Sequence, residues 1–281
     1  MPSTYAHYRF GQEVFAALPE ELSVTIGKNR ALYDIGLHGP DLLFYYKPLG
    51  SNAVNRIGFG MHAEPAKNFF LPAAELLRAG SDASAAYAYG FVCHFALDSA
   101  CHSYIENKIR LSHVTHTEIE SEFDRYLLAE EGKDPLSADL TAHIAANEEN
   151  ARVIAPFFGV TEKEALKALR SMIFYNGLLR APHQPKRGIV NFVLRLSGNY
   201  KEMHGMMIAK KPIDACRDSN MRLFKLFGKA VPEAVSLIRG FVGYVNGQNA
   251  LPAAFEDTFS HKRGWRNIPV LSPEEERNYE V

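Results

Sequence analysis

The sequence lacks any long uncharged apolar run, and it contains few cysteines. A membrane-spanning helix needs roughly 18 consecutive apolar residues. The one region that approaches this length, residues 85–101, contains His94 and Asp98. The sequence therefore predicts no transmembrane span. The three cysteines are odd in number and form no CxxC pair, which favours reduced thiols over a disulfide framework.

An excess of charge of either sign is also absent. With a net charge of −1 over 281 residues, the chain has no global attraction to nucleic acid or anionic lipid, so binding to either requires a local patch. The first residues, MPSTYAHYRFGQEV, lack the basic start and the apolar centre of a secretory signal. We therefore expect a cytoplasmic protein without a nucleic-acid partner.

Alternating strand patterns are missing, and helical periodicity is found instead. Apolar residues recur at intervals of three and four in most of the chain. The clearest helical segments are residues 5–18, 72–80, 85–109, 116–132, 161–179 and 232–247. Helix starts are predicted at Ser81, at the capping box of Thr161 and Glu164, and at Pro232.

These segments predict an all-α fold, a multi-helix bundle. Helical character is the same on both sides of the Pro-rich break at residues 180–188, so we expect a single domain over residues 1–270 with C-terminal helical additions. Residues 271–281, LSPEEERNYEV, form a polar tail that is predicted to pack little surface.

The stretch HFALDSACHSYIE, residues 94–106, places polar side chains in an apolar helix. His94, Asp98 and His102 are spaced by four, so they project from nearly the same side. A buried bare carboxylate is costly unless an arginine, a lysine or a metal ion compensates it. The two histidines lie about 12 Å apart along the helix axis and cannot share one ion. The spacing therefore favours two or more metals along one helix, with a buried ion pair as the alternative.

Further candidate ligands lie on both sides of this helix. His116 and Glu120 are four apart and could close on one ion, although an exposed histidine beside a solvated acidic face explains them equally well. Asp41, His62 and His7 are unremarkable singly, because Asp after Pro is common turn chemistry. Nearby, His38 is typical of a surface residue and His113 of a loop residue.

Taken in chain order, these residues resemble the ligand set of the bacterial zinc-dependent phospholipase C family, whose fold is shared by the fungal single-strand-specific nucleases. The motif order is PD, a lone His, HxxxDxxxH and then HxxxE. The likeness covers residues 1–125 through the ligands and the remaining helices through general character. The matching residues are His7, Asp41, His62, His94, Asp98, His102, His116 and Glu120.

The resemblance implies three zinc sites. One zinc takes Asp41, His62, His94 and Asp98; a second takes His102, His116 and Glu120; and Asp98 bridges to a third, which also takes His7 and the amino group of the chain. Activity would then be attack of a metal-bound hydroxide on a phosphodiester, with Asp41 orienting or deprotonating the water. Leu42 stands where phosphatidylcholine-cleaving relatives carry an aromatic residue, so a choline preference is not implied.

Three functions remain open from the sequence. The first is a phospholipase C-like hydrolase acting on a phospholipid head group, with peripheral membrane contact, or on a soluble phosphodiester. The second is a nuclease or nucleotidase on the same metals, and the third is a metal-stabilised binding protein without turnover. The segment 186–200 would serve a nucleic-acid groove or simply form an amphipathic helix; its relevant residues are Lys186, Arg187, Phe192, Arg195 and Tyr200. Side chains that could shape a head-group pocket or belong to the core are Phe44, Tyr45, Tyr46 and Glu64.

Overall fold

The computed structural model describes residues 4–196, 200 and 204–281. Regular structure in these residues is helical, apart from one isolated antiparallel bridge between Pro65 and Thr258, so the predicted all-α class is confirmed. None of these helices combines the length and apolarity needed to cross a membrane. The α-helices are α1 Thr4–Ala17, α2 Glu20–Lys28, α3 Arg30–Gly36, α4 Ala53–Ala63, α5 Lys67–Ala79, α6 Asp82–Ser112, α7 His116–Glu130, α8 Glu148–Phe158, α9 Glu162–Leu179, α10 Gln184–Leu196, α11 Arg217–Val245 and α12 Pro273–Glu276. The 3-10 helices are Gly39–Tyr45, His204–Met206, Asp214–Cys216, Ala253–Glu256 and Trp265–Asn267.

The central element of the bundle is α6. Every residue from Ala86 to Ser99 is buried, because α1, α2, α3 and α11 pack around this helix. An apolar sequence on all sides is typical of such a central helix. The helix ends at His113, which has a left-handed backbone (φ 61°) and confirms the prediction of a loop residue there.

Two glycines bring α3 into backbone contact with α6. A Cβ atom on Gly90 would lie 2.2 Å from the Tyr33 carbonyl oxygen, and one on Gly36 would lie 2.2 Å from the Tyr87 carbonyl oxygen. Such distances are shorter than any van der Waals contact, so only glycine permits this crossing. The close approach places the chain that follows α3 directly against the middle of α6.

The predicted helix starts hold at two of three positions. Ser81 is the N-cap of α6, and the Thr161 hydroxyl accepts a hydrogen bond from the Glu164 backbone N–H (3.2 Å) in a complete capping box. The start at Pro232 is wrong, because α11 runs through this residue without a break. Burial of Ala230 and of the rest of the inner face of α11 outweighs the one hydrogen bond that proline removes.

The expectation of a loosely packed tail is also wrong. Glu276 of α12 is fully buried, and its carboxylate accepts two hydrogen bonds from the Arg222 guanidinium at 2.5 and 3.0 Å. The same guanidinium lies 4.1 Å from the ring centroid of Tyr279. A buried bidentate pair fixes the tail on α11 despite its polar composition.

Candidate metal centre

Asp98 lies at the centre of a cluster of histidines. Its Oδ2 atom is 3.1 Å from His94 Nε2 and 3.8 Å from His62 Nε2. Its Oδ1 atom is 3.1 Å from His7 Nε2 and 3.7 Å from His102 Nε2. Each carboxylate oxygen therefore faces its own pair of imidazoles.

Asp41, His62 and His94 form the first cluster together with Asp98. One Asp41 oxygen lies 3.0 Å from His62 Nε2 and the other lies 3.8 Å from His94 Nε2. The ligand atoms of His62, His94 and Asp98 all lie within 4.8 Å of one another. The 3-10 helix Gly39–Tyr45 carries Asp41, while α4 carries His62.

His102, His116 and Glu120 form the second cluster, at the junction of α6 and α7. Glu120 Oε1 is 2.9 Å from His116 Nε2 and 3.5 Å from His102 Nε2. The ligand atoms of the three residues lie within 4.8 Å of one another. Because Asp98 Oδ1 lies 3.7 Å from His102, Asp98 connects the two clusters.

His7 lies beside both Asp98 and the first cluster. Its ring stacks on that of His94 with a centroid distance of 4.4 Å, and His7, Asp41 and His94 form another group with ligand atoms within 4.8 Å. The amino group that the resemblance assigns to the third zinc belongs to residues 1–3, which lie outside the described residues.

Three backbone carbonyls orient the imidazoles. The Nδ1 atoms of His62, His94 and His102 lie 2.9, 3.2 and 2.8 Å from the carbonyl oxygens of Gly58, Leu37 and Phe259, in that order. Each carbonyl can accept a hydrogen bond only from Nδ1–H, so this tautomer leaves the lone pair of Nε2 directed into the cluster. The Phe259 carbonyl shows that the C-terminal part of the chain helps to build the site.

Gly39 provides the space in which the His94 ring lies. Its backbone is left-handed (φ 48°), and a Cβ atom at this position would lie 2.2 Å from His94 Cδ2. A glycine is therefore required both by the backbone conformation and by the packed imidazole. The GPD sequence thus holds Asp41 and accommodates His94 in the same turn.

The buried polar atoms of the two clusters fit a metal ion. Both Asp41 oxygens, His94 Nε2, Asp98 Oδ2 and Glu120 Oε2 are buried without a hydrogen bond. In the part of the chain that the structure describes, no arginine or lysine nitrogen lies within 4.0 Å of Asp98, which excludes an arginine or lysine as its partner. Imidazole nitrogen and carboxylate oxygen are the donors that zinc accepts.

The charges in the metal-free clusters are strongly coupled. Burial raises the pKa of Asp98, but the surrounding imidazoles, above all His102, outweigh burial and hold this pKa well below its usual range. Burial lowers the pKa of His62, yet the Asp41 carboxylate raises it to about 9. The carboxylate of the second cluster likewise overcomes burial and raises the pKa of His116 to about 10. Without metal, His62 and His116 therefore carry a positive charge at neutral pH.

Two acidic residues that position ligands were missed from the sequence. Asp124 of α7 accepts hydrogen bonds from the backbone N–H groups of Tyr5 (3.0 Å) and Ala6 (2.7 Å), which fixes the first turn of α1 and hence His7. Glu106 Oε1 lies 3.6 Å from His116 Nδ1. Glu106 lies one helical turn after His102, and that spacing was the only signal of its position.

His38 is buried rather than exposed, which corrects the expectation of a surface residue. Its Nε2 atom lies 2.7 Å from His143 Nε2, and burial holds the pKa of His38 well below its usual range. The His143 ring also stacks on Tyr8, with a centroid distance of 4.1 Å. The close packing of α3 against α6 encloses this imidazole.

The aromatic residues near the ligands divide between core and rim. Tyr45 is buried, and its hydroxyl accepts a hydrogen bond from Asn176 Nδ2 at 3.1 Å. Phe44 is also buried, but it stacks on the exposed Phe59 with a centroid distance of 4.2 Å. Its ring centroid lies 5.2 Å from that of His62, so the Phe44 and Phe59 pair borders the first cluster.

Comparison with known proteins gives one match. The family model described as zinc-dependent phospholipase C matches residues 6–172, more than half of the chain, and this range contains all eight candidate ligands. No curated protein and no solved structure matches. Since the match includes both clusters and the all-α fold, the chain belongs to the zinc-dependent phospholipase C family.

Proposed function

We propose that the protein is a zinc-dependent phosphodiester hydrolase of the phospholipase C type, acting on a phospholipid or on a soluble phosphodiester. The observation that carries this proposal is the group of buried, unpartnered oxygens and nitrogens around Asp98. Such atoms are costly to bury unless a cation compensates them. Membership of the family supports zinc as that cation and a phosphodiester as the substrate.

The two clusters would hold two or three ions. The first cluster supplies Asp41, His62, His94 and Asp98, and the second supplies His102, His116 and Glu120. His7 and the amino group of the chain would complete a third site on Asp98. Asp98 supports separate ions, because its Oδ2 atom faces His62 and His94 of the first site, whereas its Oδ1 atom faces His7 of the third and His102 of the second.

Asp41 is the proposed catalytic residue. When bound, zinc polarises the phosphoryl oxygens and makes water acidic enough to act as a nucleophile at neutral pH. Asp41 has two buried oxygens, one 3.0 Å from His62 Nε2 and the other 3.8 Å from His94 Nε2, so one can hold an ion while the other accepts the proton of the attacking water. The water oxygen then bonds to phosphorus as the bond to the leaving alkoxide breaks, and the proton taken up by Asp41 passes to that alkoxide, which leaves as an alcohol.

The substrate would approach where the clusters reach the surface. The His116 side chain is one-third exposed, whereas that of His62 is 17% exposed. Glu64 is also exposed and follows α4 at the rim of the first cluster. Phe44, Phe59 and Glu64 are therefore the proposed contacts for a head group, with peripheral membrane contact bringing the lipid to this rim. The three buried free thiols support a cytoplasmic location.

Elemental analysis tests the metal assignment. We expect about two to three zinc equivalents per chain from this set of ligands, and a lower content in Asp98→Asn. A metal-free wild-type chain that folds normally would contradict the proposal.

Substrate comparison tests the reaction class. The zinc-loaded protein should hydrolyse p-nitrophenylphosphorylcholine or mixed phospholipids faster than single-stranded DNA or mononucleotides. Preferential cleavage of nucleic acid would identify a nuclease on the same metals. Full metal occupancy without any turnover would identify a metal-stabilised binding protein.

A further inference from the structure

The helix α10 is apolar on two opposite sides. Its inner side packs Val190 and Leu194, which are buried, against Ala181 and Met207. Four large apolar side chains project on the other side at positions i, i+3, i+4 and i+7, which is one continuous helical stripe. They are exposed by 64%, 62%, 54% and 73%, in the order Ile189, Phe192, Val193 and Leu196. We call these four residues the outer face of α10.

Within residues 4–196, 200 and 204–281, the four residues of the outer face belong to no hydrophobic core. Single exposed apolar residues are ordinary, but a run of four on one helix side indicates a surface that meets another apolar phase. The small core under α10 is complete without these four residues, because Val190 and Leu194 already provide its contacts. We therefore expect the outer face to be a binding surface for a partner outside the folded chain.

The segments that contain and follow this face are rich in basic residues. Residues 180–196 and 204–211 contain six lysines and arginines and no aspartate or glutamate. Set against the net charge of −1 for the whole chain, these six charges leave −7 in the rest of the sequence. Lys186, Arg195, Lys210 and Lys211 are exposed, whereas Arg180 pairs with Asp139 at 3.2 Å. Exposed basic residues in the same segments as an apolar helical stripe are complementary to an anionic lipid surface.

The same segment borders a cavity that Glu120 of the second cluster also lines. Met206 and Ile208 line a cavity of about 30 Å³ together with Glu120. A Cβ atom on Gly205 would lie 2.3 Å from Thr117 Oγ1, so this part of the segment packs directly on the first turn of α7. Arg187 ties α10 to this part by donating a hydrogen bond to the Ile208 carbonyl. The outer face and the metal centre are thus joined through a few residues.

We propose that the outer face of α10 docks the protein on an anionic phospholipid surface. Ile189, Phe192, Val193 and Leu196 enter the boundary between head groups and acyl chains, while the surrounding lysines and arginines pair with lipid phosphates. The role of this docking rests on the proposed phospholipid substrate, since it holds the metal centre close to the bilayer. Docking itself requires no catalysis, and the two can be measured separately.

Sedimentation of the zinc-loaded protein with vesicles tests the proposal. Vesicles of phosphatidylcholine mixed with phosphatidylglycerol should bind the wild type more tightly than vesicles of phosphatidylcholine alone. The double variant Ile189→Ser/Phe192→Ser should lose roughly tenfold or more in vesicle affinity. Lys210→Gln/Lys211→Gln should lose affinity mainly for the anionic vesicles. The matched control, Leu49→Ser/Leu111→Ser, removes two apolar side chains that are exposed elsewhere and should bind as the wild type does.

Turnover of a soluble phosphodiester separates docking from chemistry. All three double variants should keep the wild-type rate on p-nitrophenylphosphorylcholine. Vesicle binding without any turnover would support docking while overturning the proposed function. Equal vesicle affinity of the wild type and Ile189→Ser/Phe192→Ser would overturn the docking proposal. Binding of single-stranded DNA through this face, in place of vesicles, would overturn it as well.

Discussion

The two clusters of candidate ligands are built from the same donor types but are held in different ways. In the first cluster, His94 and Asp41 are almost fully buried, and backbone carbonyls orient His62 and His94. In the second cluster, His116 is one-third exposed, and its Nδ1 faces the Glu106 side chain, which is itself one-third exposed. Backbone and core packing thus define the first cluster, whereas side chains at the rim define part of the second.

This difference predicts different behaviour of the ions. A ligand fixed by backbone carbonyls loses little conformational entropy when an ion binds, whereas an exposed side chain must be ordered at that moment. We therefore expect the first cluster to hold its ion more rigidly and the second to exchange its ion more readily. Asp98 belongs to the first cluster and lies 3.7 Å from His102 of the second, so a change at Asp98 should affect both clusters.

The largest effect is expected for Asp98→Asn. The amide nitrogen cannot ligate a cation, so the first cluster loses a ligand oxygen and the second loses the negative charge beside His102. Hydrolysis should fall roughly 10³-fold, and zinc content should fall with it. Asp82→Asn, an exposed change in the first turn of the same helix, serves as the control and should leave both values unchanged. Full zinc content in Asp98→Asn would show that Asp98 does not bridge.

Gly39→Ala should disrupt the first cluster selectively. The new Cβ would strain a left-handed backbone and displace the His94 ring, so hydrolysis should fall about 100-fold and stability by about 1–3 kcal/mol. Zinc titration and thermal unfolding measure the two effects. Gly50→Ala is the matched control, because a Cβ there meets open space. Equal loss of both ions would argue against separate clusters.

Glu106→Gln should disrupt the second cluster selectively. Loss of the charge beside His116 should lower zinc affinity at this site by roughly 10- to 100-fold, while the first ion remains bound. Competition with a chelator of known affinity resolves the two sites. The control variant Glu130→Gln, at the exposed end of α7, should bind zinc at both sites with the affinity of the wild type. An unchanged second site would remove Glu106 from the metal centre.

Zinc uptake should release protons from both clusters. The pKa values of His62 and His116 in the metal-free protein are about 9 and about 10, so zinc must displace a proton from each below these values. Affinity at each cluster should therefore fall about tenfold for each unit by which the pH drops below the pKa. Because the pKa of His116 is higher, this dependence should persist to higher pH at the second cluster. Calorimetry in buffers of different ionisation enthalpy counts the protons, and affinity independent of pH would refute the expectation.

Regular spacing explains why much of the fold could be predicted. The interval of four between His94, Asp98 and His102, in an otherwise apolar segment, indicated a central helix, and α6 confirms it. The helix start predicted at Pro232 is wrong because a proline in the first turn and a proline inside a helix have similar local sequences. Only the packing of α11 distinguishes the two cases. The prediction of a loosely packed tail is wrong because Glu276 pairs with Arg222, which is too distant in sequence for the pairing to be recognised.

The supporting parts of the site could not be read from composition or spacing. Leu37 and Phe259 orient ligands through backbone carbonyls, which every residue possesses, so the sequence carries no trace of them. From the sequence, Gly39 was recognisable only as a turn residue. Its contact with His94 depends on how closely α3 packs on α6. Whether the ligands themselves bind zinc remains a prediction.

Anomalous diffraction at the zinc absorption edge, on crystals of the zinc-loaded protein, tests the central claim most directly. We predict one peak among Asp41, His62 and His94 and another among His102, His116 and Glu120, with an Asp98 oxygen beside each. Peaks elsewhere, or a single peak from which Asp98 is absent, would contradict a metal centre organised by this carboxylate.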